Sequence, residues 1–558
     1  IRLVVENIIL FLNGFILFAQ LLHYEYFTTF FSFYKLTIIS ELVTVKGEIF
    51  EIFRYKFLLV FIPFIVFLII TKIFWNKGNS VQVKFRLRLL LVFVSVIIGV
   101  FGYNKTFDLL NNINDWTISD VYVYNTLYSR TKAVDRLGFY TYTFLDSKDV
   151  IESLNKEVNE EDIDLISSYI DNQDIYQINE FTGLYEGKNL ILILCESLGY
   201  ARIDEEYTPT LAKLADEGIY CTNHYQPIYQ SATGDSEFIS LTSQMPSIDF
   251  STTSYTFHKN YYPYSLPNLF NNNGYHSNSF HSFISNFYNR ETFHESLGFD
   301  TFYDIEKLDL NEWEGYKEGI NWIPDQSLME NTMEVTKQLD NYPFFDFIIS
   351  VSGHMPYVTS RSELDDNIDI INQIDSDLSD EVKSYYAAQM LLDQGVNELL
   401  EQLEEMGELD NTVIAFYGDH YPYGLSEEAY NEIFSDDYEF EMYKAPFVIW
   451  AEDGIDIEVT KLTSSFDIYP TILNLFGIES EQSYTVGVDA LSSEKSKAYF
   501  LDRSWLTDDA YFNASTNEII KLNENITDEE IEKISEETLE TIDIGQKVLE
   551  NNYYANKE

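Results

Sequence analysis

Residues 231–238 read Ser-Ala-Thr-Gly-Asp-Ser-Glu-Phe, which sets Thr233 between alanine and glycine with two carboxylates close behind. A surface turn would account for that composition, so the meaning of the run depends on the other reactive residues of the chain. Glu196 stands in Leu-Cys-Glu-Ser, His354 in Ser-Gly-His-Met-Pro-Tyr, and Asp419 with His420 in Gly-Asp-His. Each has a plain structural reading as a helix-start acid, a turn former or a packed imidazole. Together, Glu196, Asp419 and His420 offer two carboxylates and one imidazole, a donor set suited to manganese, magnesium or zinc and lacking the thiolates that would demand zinc. Thr233 supplies a fourth ligand, because a hydroxyl of high pKa becomes a usable nucleophile when a cation binds its oxygen. Ala232 and Gly234 let a phosphate or sulfate approach the backbone. Asp235 and Glu237 read either as helix N-terminal acids or as groups that orient the site.

The elements that must position these residues are legible in the hydrophobic pattern. Continuous apolar runs at 189–195 (NLILILC), 344–351 (FFDFIISV), 412–417 (TVIAFY) and 445–450 (APFVIW) predict strands buried on both faces. Glu196, His354 and the Asp419–His420 pair follow three of them, and open α/β sheets gather their chemistry beyond the carboxyl ends of strands. Helical stretches alternate with the runs. Residues 208–218 (TPTLAKLADEG) open on Thr-Pro and stop at Gly218, and 383–406 continues the pattern. The alternation predicts an α/β sandwich with a mostly parallel central sheet. Residues 497–501 and short pieces around Tyr511 and Ile519 predict a small antiparallel tail. A last acidic helix, opened by the capping pattern Thr527 to Glu530, is expected to bury Ile531, Ile534 and Ile542.

The chain has 558 residues, 46% hydrophobic and 16% aromatic, enough for a large core and several folding units. Its 91 Asp and Glu against 35 Lys and Arg give a net charge of -56, which repels nucleic acid phosphates and excludes a nucleic acid partner. Cys195 and Cys221 exclude a disulfide scaffold and a four-cysteine zinc site, and free thiols are favoured over a pair. Three apolar stretches, 3–22, 57–75 and 87–103, crowd into the start of the chain and predict transmembrane helices. Lys72, Lys77, Lys84, Arg86 and Arg88 lie near or between the second and third with no acidic residue among them, the signature of a cytoplasmic loop. The third helix then leads outward and places everything after Tyr103 outside the cell membrane. The opening Ile1 reads as a trimmed start, with room for earlier spans. The expected organisation is a multi-pass membrane region (1–103), a helical linker (104–185), an extracytoplasmic catalytic domain (186–505) and a C-terminal tail of strands and acidic helix (506–558).

From about Asn189 to Ile478 the chain resembles the sulfatase-like branch of the alkaline phosphatase superfamily, and its whole layout resembles the lipoteichoic acid synthases and related membrane phosphoglycerol transferases. The matching pieces are CES at 195–197, TPTLAKLADEG at 208–218, ATGDSEF at 232–238, FYNRETF at 287–293, LGFDTFYD at 297–304, GHMPY at 353–357, YGDHYP at 417–422 and FDIYPTILNLFGI at 466–478. Residues 23–37 (HYEYFTTFFSFYKLT) are similar to the family's external loop between late spans.

The resemblance implies that Thr233 is the nucleophile and that Glu196, Asp419, His420 and the Thr233 oxygen hold one divalent metal ion, manganese in the family, with magnesium or zinc as alternatives. It implies that His281, Arg290 and His354 contact the glycerophosphate group, with Tyr288 where tryptophan is usual. The lysine that commonly precedes the family's nucleophile is absent, Ala232 standing in its place, and Gly353 replaces a usual asparagine. The implied reaction moves a glycerophosphate group from phosphatidylglycerol to an alcohol, either a glycolipid or a lipoteichoic acid-type polymer, through a phosphothreonine. Rival readings are a phosphoethanolamine transferase, a sulfatase or phosphodiesterase, and an inactive cell-wall scaffold. Elemental analysis separates the last from the others: one equivalent of divalent metal, lost on replacing Asp419 with Asn, is expected of an enzyme, and none of a scaffold.

Overall fold

The computed structural model describes residues 2–27, 30–33, 54–74, 130–153, 158–173, 178–248, 252–310, 322–339, 343–480 and 483–557, with a few isolated positions between 93 and 127. The chain divides into two compact units, Ile1–Leu154 and Asn155–Glu558.

In the first unit, a helix at Arg2–Phe27 packs on a helix at Ile62–Phe74 and on the tight turn that leads into it, Tyr55–Phe61. Gly14 permits the approach, since a Cβ there would lie 2.9 Å from the Phe61 ring, and the Phe11 ring meets Phe61 at a tilt and Phe64 edge-on. Two segments, Val5–Tyr24 and Tyr55–Ile73, are long and apolar enough to cross a membrane. Ile8, Ile9, Leu12 and Phe15 on one, and Leu59, Ile65 and Ile69 on the other, stand exposed, as a lipid-facing surface requires and a water-soluble core helix does not. Asp146, on a helix at Phe139–Ser153, accepts the Phe33 amide at 2.8 Å and ties down the segment after the first apolar helix. The stretch expected as a third span, 87–103, and the basic residues Lys77, Lys84, Arg86 and Arg88 lie outside the described residues but for three helical positions.

The second unit is built on an eight-stranded sheet. In chain order its strands and those beside it are β1 (Asn189–Cys195), β2 (Ile219–Cys221), β3 (His224–Tyr225), β4 (His276–His281), β5 (Thr301–Tyr303), β6 (Phe344–Ile349), β7 (Thr412–Gly418), β8 (Phe447–Trp450), β9 (Ile457–Val459) and β10 (Thr463–Ser464). The sheet order is β5-β4-β6-β1-β7-β8-β2-β9. Every pairing is parallel except those of β8, which runs against both β7 and β2. Residues 445–450, expected from their apolar run to be a strand like the others, therefore supply the one reversed strand, shortened to 447–450. An apolar run marks burial on both faces but carries no direction.

Alternating side chains of β1 serve two separate cores. Leu190, Leu192 and Leu194 face one, shared with helices at Thr233–Thr242, Arg290–Leu297 and Ile468–Phe476. Ile191 and Ile193 face the other, shared with helices at Pro209–Glu217, Asp325–Leu339 and Asp380–Met406. Each fully buried Leu or Ile contributes on the order of 2 kcal/mol by leaving water, so both faces hold the strand ends in place. Cys195 and Cys221 are buried free thiols.

A four-stranded antiparallel sheet, β11 (Ala498–Tyr499), β12 (Trp505–Leu506), β13 (Ala510–Asn513) and β14 (Glu518–Lys521), forms the tail. The last long helix, Asp528–Glu550, opens with a reciprocal cap in which Thr527 Oγ1 accepts the Glu530 amide and Glu530 Oε2 accepts the Thr527 amide. Ile531 and Ile542 are buried on it, but Ile534 is only half-buried. Three residues along a helix turn a side chain about 60° off the line of its neighbour, which leaves Ile534 at the edge of the apolar stripe. This helix packs on the helix at Glu160–Asp171. The Asn159 amide donates to Asn551 Oδ1 at 2.9 Å, Lys547 pairs with Asp162 at 3.4 Å, and Ile166 and Ile170 share a core with Ile542 and Val548.

One carboxyl in the sheet carries a pH signature. Asp346 lies mid-strand in β6, fully buried, between Ile191 of β1 and Asn278 of β4, with Thr336 Oγ1 donating to it at 2.6 Å. Burial pushes it up to about 7. A carboxyl whose folded-state pKa is raised adds stability below the unfolded pKa, near 4, and loses it as pH rises to about 7. Thermal melts of the wild type should therefore fall between these limits by a component of at most about 4 kcal/mol, and Asp346→Asn should remove that component.

Candidate active site

The site forms where β1 and β7 end side by side. Their parallel register runs from Asn189 opposite Thr412 to Cys195 opposite Gly418, so Glu196 and Asp419, each one residue further on, emerge as neighbours. The Asp419 amide donates to the Cys195 carbonyl at 3.2 Å, and Asp419 Oδ1 accepts the Ser197 amide at 2.8 Å. Ser197 takes a left-handed backbone, φ 56°, to turn the chain back, and its Oγ donates to Glu196 Oε1 at 3.0 Å. The Glu196 amide donates to Ser350 Oγ, and Gln389 Nε2 donates to the Glu196 carbonyl at 3.2 Å.

Thr233 begins its helix, where the helix dipole favours an anion. It is preceded by Ala232 at φ 42°, ψ -110°, a conformation that costs any residue with a Cβ. Asp235 braces this bend: one oxygen accepts the Ser231 amide at 2.8 Å and the other accepts Thr253 Oγ1 at 2.7 Å. Thr233 Oγ1 donates to Glu196 Oε2 at 3.2 Å and lies 3.5 Å from His420 Nε2. His420 Nδ1 donates to the Tyr421 carbonyl at 3.0 Å, which leaves Nε2 as a lone pair aimed at the same point, 3.2 Å from Asp419 Oδ2. Burial holds the His420 imidazole below its ordinary pKa.

One ligand atom from each of Glu196, Asp419 and His420 falls within 4.8 Å of the others, and all three residues are buried. Asp419 Oδ2 has no hydrogen-bond partner among the described residues. Burial, followed by the adjacent Glu196 carboxylate, pushes Asp419 well above the usual carboxylate range. Two carboxylates and an imidazole lone pair thus converge on one buried point, with Thr233 Oγ1 donating to Glu196 Oε2 and Ser197 donating to the outer oxygens Glu196 Oε1 and Asp419 Oδ1. A cation satisfies that arrangement, and the oxygen and nitrogen donors fit a divalent metal.

Around this point stand the other residues singled out in the sequence. The Arg290 guanidinium, buried, donates from Nε and Nη2 to Glu237 at 2.7–3.2 Å, while its Nη1 has no hydrogen-bond partner among the described residues. Tyr288, at φ 54°, lays its ring against the space beside Gly234, where a Cβ would come within 3.2 Å, and under the Arg290 guanidinium at 5.1 Å. His281, at the end of β4, donates from Nδ1 to the Ile349 carbonyl at 2.8 Å. Burial, aided by Arg290, lowers it to about 3 and keeps it neutral. His354 sits half-buried in the loop after β6, its Nδ1 bonded to the Met355 carbonyl and its ring 4.6 Å from Trp322, and Arg361 donates to its carbonyl. No hydrogen bond joins His281 or His354 to Thr233, and neither belongs to the group formed by Glu196, Asp419 and His420.

Three participants carry no signal of their own in the sequence. His294 donates from Nε2 to Glu237 Oε2 at 3.0 Å, Ser197 knits the two carboxylates together, and Gln389 holds the Glu196 backbone. The spacing of four residues from Thr233 to Glu237 and from Arg290 to His294 is the one hint that both pairs share a helix face.

The fold and this metal-ready cluster define a sulfatase-like α/β enzyme. The profile of the sulfatase family matches residues 188–478, just over half of the chain, and that of the lipoteichoic acid synthase N-terminal domain matches residues 1–159. Lipoteichoic acid synthase 2 of Bacillus subtilis is 28% identical over 515 residues, covering 87% of this chain and 74% of its own. Lipoteichoic acid synthase of Staphylococcus aureus is 25% identical over 569 residues, covering 98% and 84%. The crystal structure of the lipoteichoic acid synthase LtaP from Listeria monocytogenes superposes with a TM-score of 0.57 at 23% identity, covering 70% of this chain and 98% of that one, and shares the fold. The chain belongs to the sulfatase family, in its lipoteichoic acid synthase-like branch.

Gly353 packs against the site from outside. A Cβ there would fall 2.0 Å from the Glu196 carbonyl oxygen and 2.7 Å from Gln389 Nε2. Gly353→Ala should cost about 2–3 kcal/mol in denaturant unfolding and, by shifting Glu196, should lower metal content in the fraction that remains folded.

Proposed function

We propose that this chain transfers a glycerophosphate group from phosphatidylglycerol to an alcohol, on a glycolipid or a growing lipoteichoic acid-type polymer, through a phosphothreonine at Thr233. The observation that carries the reading is the buried Thr233 hydroxyl, at a helix start, 3.2 Å from Glu196 Oε2 and 3.5 Å from His420 Nε2. The curated relatives, named as lipoteichoic acid synthases, support the substrate class.

Thr233 Oγ1 attacks phosphorus and the bond to the diacylglycerol oxygen breaks. The hydroxyl proton already points toward Glu196, and His354, half-buried in the loop after β6, is assigned the proton given to the leaving oxygen. A second alcohol then displaces Thr233 by the reverse sequence. Arg290 Nη1 grips a phosphoryl oxygen, with His281 and Tyr288 shaping the pocket around the head group. A divalent cation held by Glu196, Asp419, His420 and the Thr233 oxygen, manganese before magnesium or zinc, would favour the alkoxide and offset charge growing on the phosphoryl oxygens. The apolar N-terminal helices act as a multi-pass anchor that keeps an extracytoplasmic catalytic unit at the bilayer holding its donor. Residues 231–238 contain no Cys/Ser-x-Pro-x-Arg motif, the sequence that sulfatases convert to their aldehyde nucleophile, which disfavours sulfate ester hydrolysis.

With fluorescent phospholipids and manganese, wild-type protein should release diacylglycerol from phosphatidylglycerol in preference to phosphatidylethanolamine. Thr233→Ala should lower that rate by at least about a thousand-fold. Full activity in the variant removes Thr233 from the mechanism, and preference for phosphatidylethanolamine assigns the chain to the phosphoethanolamine transferases.

A further inference from the structure

We propose that Glu237 is a positioning residue that aims Arg290, with His294 locking the pair, so that a single guanidinium nitrogen is presented to the phosphoryl group of the substrate. This inference rests on the reading of the site as one that binds a phosphate ester.

The geometry is that of a clamp. Arg290 Nε lies 3.0 and 3.2 Å from the two Glu237 oxygens, and Nη2 lies 2.7 Å from Oε1, so two of the three guanidinium nitrogens are spent on one carboxylate and the plane of the group is fixed. The Glu237 oxygen less used by Arg290, Oε2, takes the His294 Nε2–H at 3.0 Å, and His294 Nδ1 accepts from Ser279 Oγ at 2.8 Å, which anchors the clamp to β4. A carboxylate only accepts, so the imidazole carries its proton on Nε2, and burial keeps it neutral. Burial alone would raise Glu237; Arg290 and His294 outweigh it and hold the carboxylate at about 2, ionised throughout the working range.

What remains is Nη1, buried and without a hydrogen-bond partner among the described residues. A group that served only to stabilise the fold would have that nitrogen capped by a carbonyl or open to water. Its place relative to the nucleophile is set by the covalent chain: Glu237 is one helical turn beyond Thr233, and Arg290 is one turn before His294 on the helix that Glu237 binds.

The test is calorimetric binding of glycerol 1-phosphate to the full chain in detergent, for wild type, Glu237→Gln, His294→Gln and Arg290→Lys, each with its thermal melt, alongside turnover of phosphatidylglycerol. Glu237→Gln is expected to weaken binding roughly 10- to 100-fold and His294→Gln by less, with melts close to wild type. In turnover, Glu237→Gln should raise KM along with lowering kcat, and guanidinium added to Arg290→Ala should restore activity only while Glu237 is present. If Glu237→Gln does not fold, His294→Gln carries the test: weakened binding with a melt close to wild type supports the clamp, and wild-type affinity overturns it. Wild-type affinity in a folded Glu237→Gln, equal rescue with and without Glu237, or no binding of glycerol phosphate by the wild type overturns the clamp. Turnover that survives Thr233→Ala instead overturns the covalent mechanism and leaves the clamp standing.

Discussion

The catalytic unit depends on a parallel strand pair that ends in two carboxylates. Register between β1 and β7 brings Glu196 and Asp419 out together, and the fold buries both of them. Two anions so placed repel each other in a medium that screens poorly, and with His420 and Thr233 they form a set that fits a divalent cation. The chemistry sits at a point of electrostatic frustration that the two apolar cores, above and below the sheet, are large enough to hold.

The same economy appears in the backbone. Three side chains of the site stand next to a left-handed residue other than glycine: Ser197 after Glu196, Ala232 before Thr233, and Tyr288 with Asn289 before Arg290. Each such turn costs on the order of 1–3 kcal/mol, and each is held by specific bonds, as Asp235 holds the bend before Thr233. Strain of this kind fixes direction. A sharp reversal at the end of a strand or the start of a helix leaves the next side chain one way to point.

The sequence displays the parts of this site that obey local rules. Apolar runs mark β1, β6 and β7, and the residues just past the ends of β1 and β7 are those that gather in the candidate metal cluster, so Glu196, Asp419 and His420 can be chosen with no structure at hand. The capped acidic helix at the C-terminus is equally plain, because Thr527 and Glu530 bond each other across a single turn. The direction of β8 is not visible, since reversal depends on which edge of the sheet is free when the strand arrives. Nor does the sequence show that Glu237 reaches Arg290 fifty-three residues away, because pairing across two helices is set by how both pack on the sheet. Ile534 fails for a smaller reason: an apolar residue at the margin of a stripe looks the same in the sequence as one at its centre.

The helix at Glu160–Asp171 and the terminal helix meet through Asn159 with Asn551 and Asp162 with Lys547, so the two ends of the catalytic unit are fastened to each other. A protease that cut ahead of Asn159 would sever the tether to the apolar helices and leave this fastening whole. The shed fragment would keep its folded body and lose only the apolar helices that precede it in the chain.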